Sequence, residues 1–276
     1  MRAFLAFWSV VFMVKKALTH IALIPDGNGR WASIRQLPRE YGHDAGYRTA
    51  LSIIRHCVTM KIPYVSLFVL SYYNINKRPP NELNNVYRHL CSLFKDSEID
   101  LFHRLNCVFR PVGDFSCLAD CPELIDAIDY TLRKTRNNTG TIINVAVAYA
   151  GSTDIADSIY ELYRRNGNHL PEKREDLMRG ITQYSHLNSP PVDLCIRLGG
   201  EKRLSDFCLW HLLQAELEFL DTLWPDFTTD QLDACIKNYY RRDRRFGEAS
   251  SARIIRKLAK ERRPQSNRCS NIRSDK

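Results

Sequence analysis

The chain has 276 residues, 44% of them hydrophobic, and a formal net charge of +9. That length supports one large core, and no internal repeat or low-complexity run divides it, so a single domain is the default. Residues 241–276 hold 13 Lys/Arg against 4 Asp/Glu, so the tail carries the whole excess and the preceding chain is balanced. A balanced body excludes a broad nucleic-acid-binding face. A basic tail suits phosphates, anionic lipid headgroups or nucleic acid, or simply stays solvated. The nine cysteines, at positions 57, 91, 107, 117, 121, 195, 208, 235 and 269, are odd in number and form no CxxC pair. They read as reduced core thiols of a cytosolic environment, not as a disulfide frame or zinc site.

In chain order, Ala3 to Val14 is apolar except for Ser9 and is followed by Lys15-Lys16. This stretch is shorter than the ~20 residues that span a bilayer, and no small-residue cleavage site follows it. It is expected to lie in a membrane interface, with Phe4, Phe7, Trp8 and Phe12 inserted and the lysines at the headgroups. Docking on the protein's own core or on a partner is the alternative. The expected organisation is therefore an apolar segment at 1–18, a folded body at 19–247 and a basic tail at 248–276.

His20–Ile24 reads as a buried strand ending at Pro25. Helical spacing covers about 43–60, strand 63–70, a long amphipathic helix 80–104, strand 107–112 and helix 122–136. Strand follows at 141–148, helix at 153–165, a short strand at 193–196, and helices at about 205–214 and 229–240. Strands and helices alternate without hairpin signals. The fold class is therefore α/β, a mainly parallel central sheet with helices on both faces. Ligands of such sheets sit beyond the strands' carboxyl ends, here the loops after Ile24, Leu70, Ala148 and Ile196.

Two of those loops carry chemistry. The first, Pro25-Asp26-Gly27-Asn28-Gly29-Arg30-Trp31-Ala32, has two glycines that let a ligand approach the backbone. It also opens a helix whose N-terminus favours an anion, and Arg30 offers a fork of donors to phosphate. Asp26 should repel an anion unless a metal ion bridges them, as magnesium bridges carboxylates and phosphate oxygens. On these residues alone an ordinary Asp-Gly turn is the competing reading. Downstream, Arg39 and His43 extend the same cradle, although a lone His43 reads equally as a structural helix-start residue. The second loop, Arg197-Leu198-Gly199-Gly200-Glu201-Lys202-Arg203-Leu204-Ser205, brings two arginines to the ligand edge. Ser205 is either a ligand or a helix N-cap. Two phosphate cradles on one sheet imply two phosphorylated substrates.

Asp26-Gly-Asn-Gly-Arg-Trp-Ala32, Gly42-His43, Arg197-x-Gly-Gly-Glu-x-Arg-x-Ser205, Ala215-Glu216 and Leu223-Trp-Pro-Asp-Phe227 resemble, in order, the motifs of the cis-prenyltransferase family. That family includes undecaprenyl and dehydrodolichyl diphosphate synthases, and the match runs from about His20 to Gly247. The resemblance implies repeated condensation of isopentenyl diphosphate onto an allylic primer, usually farnesyl diphosphate. The expected product is a long-chain polyprenyl diphosphate, made with Mg2+ in a homodimer or a family-type heterodimer. Carried over by motif, Asp26, Asn28 and Asn74 are catalytic. Gly27, Gly29, Arg30, Arg39 and His43 hold the allylic diphosphate. Arg78, Arg197, Arg203, Ser205, Arg245 and Gly247 hold isopentenyl diphosphate, and Asp26 and Glu216 are the metal ligands, Glu216 acting across the dimer interface.

The third motif departs from the pattern. In Leu70-Ser71-Tyr72-Tyr73-Asn74-Ile75-Asn76-Lys77-Arg78, Tyr73 stands for the family's Glu and Ile75 for its aromatic residue, and one residue is inserted. Ser152 replaces a usual arginine. The chain keeps both the catalytic loop and the C-terminal Arg245-Phe246-Gly247, which implies a self-sufficient homodimer. A non-catalytic partner subunit of the same fold is the alternative. No Asp-Asp-x-x-Asp motif points to a trans-type synthase. The ends of the chain suggest an enzyme at the cytoplasmic face of a membrane, the endoplasmic reticulum in a eukaryote, without nucleic-acid binding.

Overall fold

Six short strands, all parallel, form one sheet in the order β3-β4-β2-β1-β5-β6. The computed structural model describes residues 17–75, 77–95, 97–242 and 244. The strands are β1 (His20–Ile24), β2 (Tyr64–Ser71), β3 (Val108–Val112), β4 (Ile142–Tyr149), β5 (Leu194–Arg197) and β6 (Glu216–Phe219). Inner strands such as HIALI and IINVAVAY read as near-continuous apolar runs because both their faces are covered. Alternate residues divide between two cores. Ile21 and Leu23 enter the larger one, with Leu67, Ile143 and Val145, while Ala22 and Ile24 face a smaller one with Phe68, Tyr149 and Phe207.

The larger core is covered by α2 (Arg39–Thr59), α4 (Pro80–Lys95), α5 (Ser97–Arg104), α6 (Pro122–Thr135) and α9 (Thr229–Arg241). Two short helices, α1 (Asn28–Ile34) and α3 (Tyr72–Ile75), follow β1 and β2. Helices α7 (Gly151–Arg165) and α8 (Arg174–Tyr184) complete the set. On the smaller-core side the buried Asp154 of α7 accepts from Tyr149 Oη at 2.7 Å, Ser185 Oγ at 2.9 Å and the His186 amide at 2.7 Å.

The structure departs from expectation in four places. The expected helix over 80–104 is two helices, and the Phe94 carbonyl near the end of α4 accepts a hydrogen bond from Thr131 of α6. Residues 205–214 are turns, because Ser205, Asp206 and Cys208 take left-handed φ values of 52°, 63° and 46°. Asp206 faces Ser152 instead, accepting from its amide at 2.9 Å and its hydroxyl at 2.6 Å. Helix α8 and edge strand β6 were not foreseen. The chain divides into a body ending at Arg241 and a second unit from Arg242. The apolar segment at 3–14 and nearly all of the basic tail lie outside the described residues. Among the described residues no helix is long and apolar enough to cross a membrane.

Candidate active site

Strand order reverses between β1 and β5. The chain first steps from β1 to β2, on to edge strand β3 and back to β4 between them, then crosses to the other side of β1. Ligands bind at such a switch point, outside the carboxyl ends of the strands. Asp26 stands there, two residues beyond β1. Its Oδ2 accepts from Arg197 Nη2 at 2.9 Å and its Oδ1 from Arg30 Nη2 at 3.2 Å. Arg197 ends β5 and is only 3% exposed. Its other arm donates to the Arg203 carbonyl at 2.6 Å and to Ser205 Oγ at 2.8 Å. Ser205 is therefore no helix cap; its left-handed backbone and hydroxyl orient Arg197. Glu201 lies 4.0 Å from Arg30 and also pairs with Arg203, joining the two arginine-bearing loops.

Gly27 turns with φ 100°, and a Cβ there would lie 2.7 Å from Leu223 Cδ2, so the loop tolerates glycine alone. The first bond inside α1 runs from the Trp31 amide to the Gly27 carbonyl, which leaves the amides of 28–30 outside the helix's own ladder. The Arg39 guanidinium lies close above Gly29.

A second cationic group gathers around Glu82, in the first turn of α4. Arg39 Nη2, His43 Nε2 and Arg78 Nη1 each lie 3.5 Å from its Oε1. The motif reading missed Glu82; its spacing of four from Arg78 was the available signal. Arg78, expected beside Arg197 and Arg203, is instead grouped with Arg39 and His43. Burial and the neighbouring Arg78 hold His43 below the ordinary histidine range. The ring is neutral at pH 7, with Asn28 Nδ2 3.5 Å from Nδ1.

The last motif braces the first. The Trp224 amide donates to the Asp26 carbonyl at 2.9 Å, and its indole donates to Gly46 O at 2.8 Å. Asp226 accepts from Trp31 Nε1 at 2.6 Å and from Arg35. An apolar-walled cavity leads from Asn28, His43 and Arg78 past Gly46, Tyr47, Ala50, Leu67, Val69, Val86, Leu90 and Leu93.

Not every expected residue joins the cluster. Asn74 lies in α3, where its amide donates to Ser71 Oγ at 3.1 Å, with no bond to Asp26. Glu216 opens β6 in register with Leu194 and hence with Ile21. It sits at the amino end of the sheet, roughly 15 Å from the level of Asp26 at the strand rise. One chain does not bring these two carboxylates together. Arg245 and Gly247 lie outside the described residues. Among the described residues no three His, Cys, Asp or Glu side chains converge as a ligand set. Asp26 alone, with diphosphate oxygens and water, fits the sparse protein coordination of magnesium.

An α/β chain with two guanidinium clusters, one on Asp26 and one on Glu82, and an apolar cavity opening from one of them, has the makings of a prenyl diphosphate synthase. Residues 24–247 match the family model described as putative undecaprenyl diphosphate synthase. An isoprenyl transferase of Clostridium tetani is 37% identical over 231 residues, covering 83% of this chain and 88% of that protein. A farnesyl-diphosphate-specific ditrans,polycis-undecaprenyl-diphosphate synthase of Buchnera aphidicola is 38% identical, covering 86% and 94%. Among solved structures, lavandulyl diphosphate synthase from Lavandula x intermedia in complex with dimethylallyl diphosphate superposes with a TM-score of 0.77. It shares 30% identity and covers 83% of this chain and 98% of its own. This chain belongs to the cis-prenyltransferase family, and it is a chain-elongating prenyl transferase.

Proposed function

We propose that the chain extends farnesyl diphosphate with successive isopentenyl units to a long-chain polyprenyl diphosphate of the dehydrodolichyl or undecaprenyl type. The observation that carries this reading is a pair of cationic groups, one on Asp26 and one on Glu82, only the second of which opens into an apolar cavity. Arg39, His43 and Arg78 receive the allylic diphosphate, and the hydrocarbon enters the cavity past Gly46 and Tyr47. Arg197 and Arg203, oriented by Ser205 and Glu201, hold isopentenyl diphosphate on the other side. Magnesium, when bound at Asp26, neutralises charge on the diphosphate. The allylic C–O bond breaks, pyrophosphate leaves, the isopentenyl carbon bonds to the allylic carbon, and one proton is lost. Fixed guanidinium groups stabilise charge developing on the leaving pyrophosphate, and the dry cavity shields the cationic carbon.

The position of Glu216 supports assembly from two copies, in which a second chain supplies the other metal ligand. The apolar residues 3–14 and the basic tail support a site of action at a membrane surface. The test incubates the purified chain with farnesyl diphosphate, radiolabelled isopentenyl diphosphate and Mg2+. A ladder of products that Asp26→Ala abolishes is expected. Mixing inactive Asp26→Ala and Glu216→Ala chains is expected to restore about a quarter of wild-type activity through mixed dimers with one intact site. No incorporation by a folded dimer would leave the partner-subunit reading.

A further inference from the structure

Helix α7 has no side-chain cap of its own, because Ala150 stands at its N-cap position. Its first amides are met from another loop. The Gly151 amide donates to the Asp206 carbonyl at 2.6 Å, and the Ser152 amide donates to Asp206 Oδ1 at 2.9 Å. The Ser152 hydroxyl closes the clasp, donating to Oδ2 at 2.6 Å. A Cβ at position 151 would lie 3.0 Å from the Asp206 carbonyl oxygen and 2.9 Å from the Leu209 amide nitrogen, an approach suited to glycine. Asp206 thereby ties the loop after β4 to the loop after β5, at the carboxyl edge of the sheet.

The tied turn is strained. Ser205 and Asp206 both take left-handed φ values, 52° and 63°, which residues with a Cβ keep only where their surroundings impose them. Phe207 anchors the turn on one side, fully buried and stacked on Phe68 with ring centroids 4.6 Å apart. The clasp anchors it on the other. The turn presents Ser205 Oγ, which accepts from Arg197 Nη1 at 2.8 Å, and the same arginine reaches Asp26 through Nη2 at 2.9 Å. Arg197 Nε has no partner among the described residues, so the buried guanidinium is held there through its two Nη groups.

We propose that Asp206, clasped by Ser152, is a positioning residue for the isopentenyl diphosphate cradle, holding the left-handed turn that aims Ser205 at Arg197. The inference rests on the reading that Arg197 and Arg203 hold isopentenyl diphosphate. Without the clasp the turn relaxes toward ordinary φ values, Ser205 Oγ leaves Arg197, and the guanidinium is no longer fixed before substrate arrives. The loss falls on one substrate. Arg39, His43 and Arg78, which receive the allylic diphosphate, are grouped around Glu82 instead.

The test measures KM for each substrate, the other saturating and Mg2+ present, in the wild type, Ser152→Ala, Ser152→Thr, Asp206→Asn and Arg203→Ala. Ser152→Ala and Asp206→Asn each remove one hydrogen bond. They are expected to raise KM for isopentenyl diphosphate about three- to tenfold and to leave KM for farnesyl diphosphate within about twofold. Ser152→Thr keeps the hydroxyl and is expected to retain the wild-type values. Ser152 is exposed, so its variants carry the test if Asp206→Asn fails to fold. If Arg203→Ala raises KM for isopentenyl diphosphate while Ser152→Ala and Asp206→Asn do not, or raise it equally for both substrates, the positioning role alone is overturned. No incorporation by the wild type, or an Arg203→Ala defect confined to farnesyl diphosphate, would overturn the underlying reading and the positioning role with it.

Discussion

Asp26 has two separable duties. It accepts from the buried Arg197 and the half-exposed Arg30, and it stands at the switch point beyond β1. Removing the carboxylate strands a guanidinium that is 3% exposed, although two other acceptors remain to it. Because Asp26 itself is partly exposed, the expected loss is about 1 kcal/mol. Asp26→Asn keeps an acceptor and is expected to lose less stability than Asp26→Ala, while both lose nearly all activity. Thermal melting and product assay together separate the structural duty from the chemical one. The individual motif residues were legible in the sequence because glycine, arginine and aspartate in fixed order leave few alternatives. Glu82 was not, because a glutamate in a helix's first turn ordinarily needs no partner beyond the helix itself.

Close helix packing decides whether the site forms. A Cβ at Gly42 of α2 would overlap the carbonyl of Asn28 in α1. Gly42→Ala is therefore expected to push α1 from α2, cost about 1–3 kcal/mol and reduce turnover, read by denaturant unfolding and kcat. The strands at 20–24, 64–71 and 142–149 were readable as apolar runs, and that alone placed the ligand loops. The turns at 205–214 were not, because Ser205, Asp206 and Cys208 enter left-handed conformations that favour glycine or asparagine and carry no sequence signal. β6 escaped because Glu-Leu-Glu-Phe is too short and acidic to stand out, and α8 because its sequence is largely polar. Trp224 and Asp226, part of the last motif that carries the family resemblance, hold α1, α2 and the Asp26 loop together.

For the molecule as a whole, the sheet's interior sets a pH limit. His20, fully buried on β1, donates from Nδ1 to the Pro190 carbonyl at 2.8 Å and accepts at Nε2 from Ser66 at 2.7 Å. Burial lowers its pKa to about 4. The unfolded chain binds a proton from about pH 6.5 downward while the native chain does not, so stability is full above that range and falls as pH drops toward 4. The expected loss is about 3 kcal/mol from this group, with His43 and His211 adding in the same direction. Denaturant unfolding at pH 7, 5.5 and 4 checks the slope, and His20→Gln should flatten it. The same burial raises the Cys57 and Cys195 thiols to about 12, in keeping with core thiols.

Glu82 gives the cradle of Arg39, His43 and Arg78 an anion of its own. A carboxylate tethered at 3.5 Å from two guanidinium groups and the His43 imidazole competes with any free anion at an effective concentration in the millimolar range or above. On the reading proposed above, inorganic phosphate would compete with the glutamate unaided, and an allylic diphosphate would use the binding energy of its hydrocarbon to displace it. After each condensation the by-product pyrophosphate would lack that hydrocarbon, and Glu82 would favour its release. Glu82→Gln is expected to bind pyrophosphate about tenfold more tightly in inhibition assays and to turn over more slowly, the cradle having lost the means of clearing itself between additions.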